Sequence, residues 1–223
     1  MKAVTIPPEG RVHAHDRGEQ KIRKDLRGQI SHVLISSTYL QERIRSLAKD
    51  IIRDFSDKKT GALQIVVVLK GATTFANMLA QEIFKSGGPS VRFNYIKASS
   101  YGNDIASSGH VRISGQLPYV RGKDILIVED IIDTGQTLDR LKEYLLEERG
   151  ASSVKICALL DKRARRRPEL RRKLHVDYTG FKVPDMFIAG YGIDCAEHFR
   201  ELPYIVAVNE RYFAKGRGKK KEG

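Results

Sequence analysis

The apolar positions of the chain alternate between two patterns. Residues 37–55 carry leucines and isoleucines at helical spacing, behind a serine or threonine that can cap a helix. Continuous apolar runs rich in β-branched residues begin at Ile65 and Ile125, as in strands buried on both faces, and the mostly apolar segment 154–160 predicts a third buried strand. In chain order, the pattern predicts helix 37–55, strand 65–69, helix 74–84, strands 91–98 and 125–128, helix 137–149, and strands 154–160, 186–190 and 205–208.

This succession of strands and helices predicts an α/β fold, with a mainly parallel sheet flanked by helices. In such sheets, ligands bind at the carboxyl ends of the strands. Residues 99–124 are polar and without clear periodicity, which is typical of a functional lid or of a disordered stretch. Residues 1–30 are polar and contain several prolines and glycines, which predicts a mobile arm.

Charge adds a partner class to this picture. The 223 residues suffice for one large domain or two small ones, and their formal net charge is +13. The excess lies in residues 11–27 (6 basic, 3 acidic), 163–173 (7 basic, 1 acidic) and 215–223 (5 basic, 1 acidic). The remainder of the chain is neutral. Such segments attract nucleic acid, anionic membranes or anionic small molecules.

Several classes of protein are disfavoured. No apolar run approaches the roughly 20 residues of a membrane helix, and the first ten residues do not resemble a signal peptide. Cys157 and Cys195 are the two cysteines, and neither lies in a CxxC pair. A reducing, cytoplasmic setting without membrane partners is therefore expected.

One segment carries most of the candidate chemistry. The run 125–128 leads into Glu129 and Asp130, then two isoleucines, then the loop Asp133-Thr-Gly-Gln-Thr137 and a helix. Gly135 lets the backbone approach a ligand, and the loop amides at a helix N-terminus favour a phosphate. The two acids suit a hard divalent cation or sugar hydroxyls. A strand, a turn and a capped helix with solvated acids would explain the same residues.

The segment resembles the phosphoribosyl-pyrophosphate signature of type I phosphoribosyltransferases. The segments Val68-Leu-Lys-Gly71, Ala98-Ser-Ser-Tyr101, Leu160-Asp-Lys-Arg163, Pro184–Asp194 and Phe199-Arg-Glu-Leu202 resemble the hypoxanthine-guanine branch of that family. The resemblance covers about residues 36–210, in order and with fitting gaps.

The resemblance implies a single domain over 31–213, with a small hood built from terminal segments and a mobile loop near 99–120. A basic mobile arm (1–30) and a basic tail (214–223) lie outside that domain. It also implies a purine salvage enzyme that transfers the 5-phosphoribosyl group of phosphoribosyl pyrophosphate to a 6-oxopurine, with Mg2+, as a homodimer or homotetramer. Hypoxanthine and guanine, and xanthine as a further candidate, are the expected bases.

Roles for individual residues follow from the resemblance alone. Asp133 is the expected general base or proton-holder at purine N7. The resemblance assigns the phosphoribosyl and 5-phosphate site to Glu129, Asp130, Asp133, Thr134, Gly135, Gln136 and Thr137; pyrophosphate to Lys70, Gly71 and Arg200; the purine to Ile131, Lys162, Phe187, Ile188 and Asp194; the metal to Glu129, Asp130 and Asp194; and the mobile loop to Ser100 and Tyr101.

Three details of the match have physical consequences. Lys162 is a pure donor, so it suits a 6-oxo group and argues against adenine. In the family the peptide bond of Lys70-Gly71 can be cis. Gln136 stands where many relatives have lysine, and a loop amide can still hold phosphate.

Taken singly, the same residues have plainer interpretations. Lys162 could be a solvated lysine, Phe187 a core residue, and Asp194 with Arg200 a surface ion pair. A different function also stays open, because basic segments on the same fold suit a nucleic-acid-binding regulator. Against it, no RNA-binding motif is visible and the residues of the base pocket are all present, so a nucleic-acid partner is not expected.

Overall fold

A computed structural model describes residues 3–11, 22–55, 61–100, 111–115, 117, 120–209 and 211. The strands are β1 (Val4–Thr5), β2 (Ile30–Ile35), β3 (Leu63–Val68), β4 (Val91–Ser100), β5 (Val111–Ser114), β6 (Asp124–Ile132), β7 (Ser153–Asp161), β8 (Tyr178–Lys182), β9 (Ile188–Ala189) and β10 (Ile205–Val208). The helices are α1 (Ser37–Phe55), α2 (Ala72–Lys85), α3 (Gln136–Glu143) and α4 (Leu170–Lys173), and a π-helical turn, Tyr144–Glu148, continues α3.

Seven strands form the main sheet, in the order β1-β8-β7-β6-β3-β4-β5. All neighbours in it are parallel except β4 and β5. The carboxyl ends of β3, β6, β7 and β8 therefore lie along one edge. The predicted mainly parallel α/β sheet is confirmed.

Helices cover both faces of this sheet. On β3, Ile65 and Val67 pack into the core that contains the apolar residues of α1 and α2. Val66 and Val68 pack into the opposite core, with Leu138 of α3. Because successive side chains of a strand point to opposite faces, a strand buried on both faces must be apolar throughout. This explains why β3 and β6 each contain a continuous apolar run, at 65–68 and 125–128.

A smaller sheet forms the hood. Its strand order is β2-β10-β9, and both pairings are antiparallel. It joins a segment from near the beginning of the described chain to two segments from near its end, as the predicted hood requires. Its core contains Ile30, Phe199 and Val206.

Part of the predicted arm belongs to the body. Val4 and Thr5 pair in parallel with Phe181 and Lys182 of β8, and Ile6 is buried in the core. The prediction of a mobile arm is therefore wrong for these residues, because β8 leaves an edge to which they add. Residues 12–21 of the arm, and the tail 214–223, lie outside the described residues.

The predicted lid segment contains a strand that its polarity concealed. β4 continues to Ser100, and β5 pairs with it antiparallel, with Ser100 opposite Val111 and Lys97 opposite Ser114. Tyr101, predicted to belong to the mobile loop, lies outside the described residues. None of the described helices is long and apolar enough to cross a membrane.

Candidate active site

A cleft of about 290 Å³ opens at the carboxyl ends of β3 and β6, below the hood. Its lining comprises Val68, Leu69, Lys70, Gly71, Glu129, Asp130, Ile131, Ile132, Asp133, Thr134, Gly135, Thr137, Leu138, Asp194 and Arg200. Most of the site residues predicted from the sequence meet here, although they come from three separate segments.

Two buried carboxylates form one wall of the cleft. Glu129 and Asp130 lie near the carboxyl end of β6, and they are 8% and 9% exposed. Burial raises the pKa of Glu129 well above its usual value, and the neighbouring carboxylate of Asp130 raises it further. Burial also raises the pKa of Asp130, although hydrogen bonds with Glu129 and the Ile131 N–H oppose this. Burial therefore favours the uncharged forms of the pair, and a cation bound beside it would favour the ionised forms.

Gly71 makes room for this pair. A Cβ on Gly71 would lie 1.7 Å from Oδ2 of Asp130, so no larger residue fits without moving the carboxylate. The Ile131 backbone N–H donates to the other oxygen of Asp130 at 2.9 Å. The end of β6 therefore packs directly against the loop that follows β3.

The donor set of this wall fits a hard divalent cation. Carboxylate oxygens are the protein ligands that Mg2+ prefers, and it commonly takes only one or two of them, with water and substrate phosphate completing its shell. Within the described ranges, no group of three or more His, Cys, Asp or Glu side chains could hold a metal by itself. Glu129 and Asp130 thus suit a cation that arrives with a ligand.

The segment 133–137, which the resemblance assigns to the 5-phosphate, joins β6 to the first turn of α3, and we call it the phosphate loop. Gly135 has a φ of +86° and is the N-cap residue of α3. Because glycine has no side chain, the N-cap residue offers no side-chain acceptor to the backbone N–H groups of the first turn. A Cβ on Gly135 would lie 2.8 Å from Cδ of Arg166 and 3.0 Å from Cδ2 of Leu174. The backbone N–H of Arg167 donates to the carbonyl of Thr134 at 3.2 Å. The basic segment after β7 therefore supports this loop from behind.

Asp133 is half-buried and engaged by an arginine. Nε of Arg165 lies 3.1 Å from Oδ1 of Asp133 and 3.9 Å from Oδ1 of Asp185. In the sheet, Ile132 pairs with Asp161, so Asp133 and Lys162 leave neighbouring strands side by side. Arg165 thus links the carboxylate after β6 to the hood segment that contains Phe187.

Two cations and two acids form the opposite end of the cleft. Nζ of Lys70 lies 3.2 Å from Oε2 of Glu197, and Nη2 of Arg200 lies 3.3 Å from the same atom and 2.7 Å from Oδ1 of Asp194. The hydrogen bond from Lys70, and then that from Arg200, lowers the pKa of Glu197. The predicted pyrophosphate cations therefore meet, each with a carboxylate partner.

The cis peptide bond next to Lys70 is one position earlier than the resemblance implied. It joins Leu69 to Lys70, rather than Lys70 to Gly71. The sequence alone could not show which of the two peptide bonds is cis, because both lie in the same short segment, Leu69-Lys70-Gly71.

The cleft lining does not include Gln136, Lys162, Phe187, Ile188 or Ser100, and Tyr101 lies outside the described residues. Phe187 is 54% exposed, unlike the buried core residue that its apolar strand would also allow. Ile188 is buried in β9, Lys162 is half-buried, and Gln136 begins α3. Ser100 ends β4 on the neighbouring strand pair.

Two side chains of the site escaped the sequence analysis. From the sequence, Arg165 is one of the basic residues of 163–173 with no role of its own, and no motif includes Glu197. Arg165 is 32 residues from Asp133 along the chain and Glu197 is 127 from Lys70, so local pattern could not reveal either contact. The surplus of basic residues was the one available signal for Arg165.

Fold and site together define the class of protein. The family profile described as "Phosphoribosyl transferase domain" matches residues 36–196, and the chain belongs to this family. Within it, the hypoxanthine-guanine phosphoribosyltransferase of Bacillus subtilis is 41% identical over 79% of this chain and 92% of its own length. That of Dictyostelium discoideum is 38% identical, over 82% and 98%.

A longer relative and a solved structure extend the comparison. The bifunctional protein TilS/HprT of Listeria monocytogenes is 41% identical over 82% of this chain, but the match spans only 26% of that protein. The structure of Trypanosoma cruzi hypoxanthine phosphoribosyl transferase superposes with a TM-score of 0.78 at 33% identity, covering 86% of this chain and 97% of that one.

Replacing Gly135 by alanine tests the support of the phosphate loop. Either Gly135→Ala or Gly87→Ala puts a side chain at positive φ, which costs about 1–2 kcal/mol, but a Cβ at Gly87 meets nothing within 4 Å. At Gly135 it also meets buried Arg166 and Leu174, which adds about 1–3 kcal/mol. Urea denaturation should show the larger loss of unfolding free energy for Gly135→Ala. Equal losses would mean that the loop is not held from behind.

Proposed function

We propose that this chain transfers the 5-phosphoribosyl group of phosphoribosyl pyrophosphate to a 6-oxopurine, releasing pyrophosphate. With hypoxanthine, guanine or xanthine the product is IMP, GMP or XMP. The observation that carries the proposal is the meeting of the signature segment with Lys70 and Arg200 around one cleft. Membership of the family, and relatives named hypoxanthine-guanine phosphoribosyltransferase, support the same reaction.

The charges of the cleft match the charge that this reaction moves. As the bond to ribose C1 breaks, negative charge grows on the leaving pyrophosphate, where Lys70 and Arg200 can stabilise it. The uncapped start of α3 and the hydroxyls of Thr134 and Thr137 suit the 5-phosphate. These groups hold the two phosphate ends of the substrate on opposite sides of Glu129 and Asp130.

The purine would bind between the sheet and the hood. Lys162 donates to the O6 atom of the base, and the exposed ring of Phe187 stacks on it. Ile131 contacts the base, and Ile188 offers its backbone groups to the edge of the ring. Asp133 holds or receives the proton at N7, with Arg165 fixing the orientation of its carboxylate.

Mg2+ is the cofactor that we propose: Glu129 and Asp130 would hold one ion, directly or through water, and Asp194 would hold a second. Bound there, it supplies positive charge to the pyrophosphate leaving group. The two buried carboxylates need such a charge in order to stay ionised, which supports this assignment.

Further parts of the proposal concern setting and assembly. We place the protein in the cytoplasm, where the thiols of Cys157 and Cys195, which form no disulfide, stay reduced. We expect a homodimer or homotetramer, and a closing loop that includes Ser100 and Tyr101. Nucleic acid is not part of this function.

A panel of purine bases tests the proposed reaction directly. Protein mixed with phosphoribosyl pyrophosphate and Mg2+ should convert hypoxanthine and guanine to nucleotides. Chromatography measures the nucleotide that each base forms. Adenine should react at least about a hundredfold more slowly, because its 6-amino group is a donor and cannot accept a hydrogen bond from Lys162. A panel in which no 6-oxopurine gives a nucleotide would refute the proposal.

Asp133→Asn tests the proton-holding role. The amide keeps the shape of the side chain but cannot take the N7 proton, so kcat should fall by about 10²–10⁴-fold. Asp185→Asn is the matched control, since Asp185 contacts the same Arg165 from an exposed position. Its kcat should stay within about threefold of the wild type. Near-normal turnover of Asp133→Asn would remove Asp133 from this role.

Glu197→Gln tests whether Glu197 competes with pyrophosphate for Lys70 and Arg200. Loss of the negative charge should tighten binding of Mg2+-pyrophosphate by about two- to fivefold, as expected for exposed ion pairs. Glu201→Gln makes the same change on an exposed side chain nearby and should leave the affinity unchanged. Titration calorimetry measures both. Weaker binding in Glu197→Gln would show instead that Glu197 positions the cations for the ligand.

A further inference from the structure

A second cavity, of about 560 Å³, lies behind the phosphate loop, among β1, the end of β7, the segment that contains α4, and β8. We call it the rear cavity. Its walls carry five basic side chains, Arg163, Arg166, Arg171, Arg172 and Lys182. The same walls carry two acids, Asp161 and Asp177. The basic segment 163–173 therefore lines a concave space, and the proposed reaction gives that space no role.

The two acids of the rear cavity already have partners. Oδ1 of Asp161 lies 2.7 Å from Nη2 of Arg166, and both side chains are buried. Oδ2 of Asp177 accepts the backbone N–H of Ile156 at 2.8 Å, and its Oδ1 lies 4.0 Å from Nε2 of His175. Asp161 is thus paired with a cation of the cavity wall, and the five cations of the lining exceed its two acids by three.

Several of the cations have no such partner. Among the described residues, no carboxylate pairs with Arg163, Arg172 or Lys182. Arg171 donates from Nε to the backbone carbonyl of Arg166 at 3.3 Å, which leaves its charge uncompensated. Cations that share one concavity repel each other unless an anion joins them, so the arrangement favours a ligand with several negative charges.

We propose that the rear cavity binds a small polyphosphate, either inorganic or carried on a nucleoside. Its volume falls within the roughly 300–1,000 Å³ of small-molecule sites. Guanidinium groups donate paired hydrogen bonds in a plane that matches phosphate oxygens. A nucleic acid would need an extended basic surface along which its backbone could run, whereas these cations converge on a pocket.

The rear cavity shares a wall with the phosphate loop. Arg166 and Leu174 line the cavity, and the same two side chains lie against Gly135 from behind. Arg166 also keeps its Nε buried without a hydrogen-bond partner in the described structure. A polyphosphate in the cavity would therefore lie one side chain away from the loop of the proposed active site, without entering the cleft.

The experiment is calorimetric titration of the protein with inorganic triphosphate and, separately, with ATP. Arg172→Gln with Lys182→Gln removes two cations from the rear cavity, and Lys70→Gln with Arg200→Gln removes two from the cleft. Lys49→Gln with Arg92→Gln is the control, because it removes the same charge from exposed positions elsewhere. Melting temperatures establish that each variant is folded.

Triphosphate should bind wild type and control alike, and the rear-cavity variant should lose one binding event or bind it at least about tenfold more weakly. The cleft variant should keep that event. ATP binding to the same site also supports the proposal. The ligand that binds more tightly shows whether the site prefers an inorganic polyphosphate or one carried on a nucleoside. Should the double variant not fold, Arg172→Gln alone carries the test, since Arg172 is exposed.

Wild-type stoichiometry and affinity in the rear-cavity variant would overturn the proposal. A second result would also overturn it: single-stranded RNA binds the protein and loses affinity in the rear-cavity variant, while triphosphate does not bind the cavity. The cations would then belong to a nucleic-acid surface. The titration does not depend on catalysis. A failed purine panel would therefore count against the proposed reaction and leave the rear cavity standing.

Discussion

The functional end of this sheet depends on two carboxylates held out of water at the end of β6. Glu129 and Asp130 are adjacent and buried, and burial raises the pKa of both. A positive charge bound beside such a pair would favour its ionised form. The absence of a side chain at Gly71 lets the loop after β3 pack against Asp130, and the same loop brings Lys70 to the cleft. One steric constraint thus fixes the spacing between the acidic wall and a cation.

The charges at the other end of the cleft balance one another before any ligand arrives. Lys70 and Arg200 contact Glu197, and Arg200 also contacts Asp194. These internal partners hold flexible side chains near the positions that a pyrophosphate would need, which reduces the ordering that the ligand must impose. The cost is competition, because an anion must displace Glu197. The balance between these two effects decides how tightly the cleft can bind a phosphate group.

The parts predicted from the sequence are those whose signal is local. The apolar runs of β3 and β7 and the helical spacing of α1 gave elements close to those observed. β6 was expected to end at Val128, since adjacent acids usually mark a strand end, yet it runs to Ile132 because Glu129 pairs with Ala158 and Ile131 with Leu160 of β7. β8, with Gly180 at its centre, has no apolar run of its own and becomes a strand only between β1 and β7. The signature segment predicted the cleft because it is a local pattern of adjacent residues. A local pattern could not predict Glu197, whose contact with Lys70 joins distant parts of the chain.

The basic segment 163–173 shows how net charge and function separate once side chains have directions. Arg165 turns toward Asp133, and Arg166 turns inward to Asp161 beneath Gly135. Arg163 and Arg172 line the rear cavity. A segment that the sequence presents as one basic run is therefore divided among the cleft, the support of the phosphate loop and a second concave space. Four arginines of the segment, Arg163, Arg166, Arg171 and Arg172, converge on that pocket, while Arg165 lies on the cleft side. Converging cations suit a compact anion better than the extended backbone of a nucleic acid.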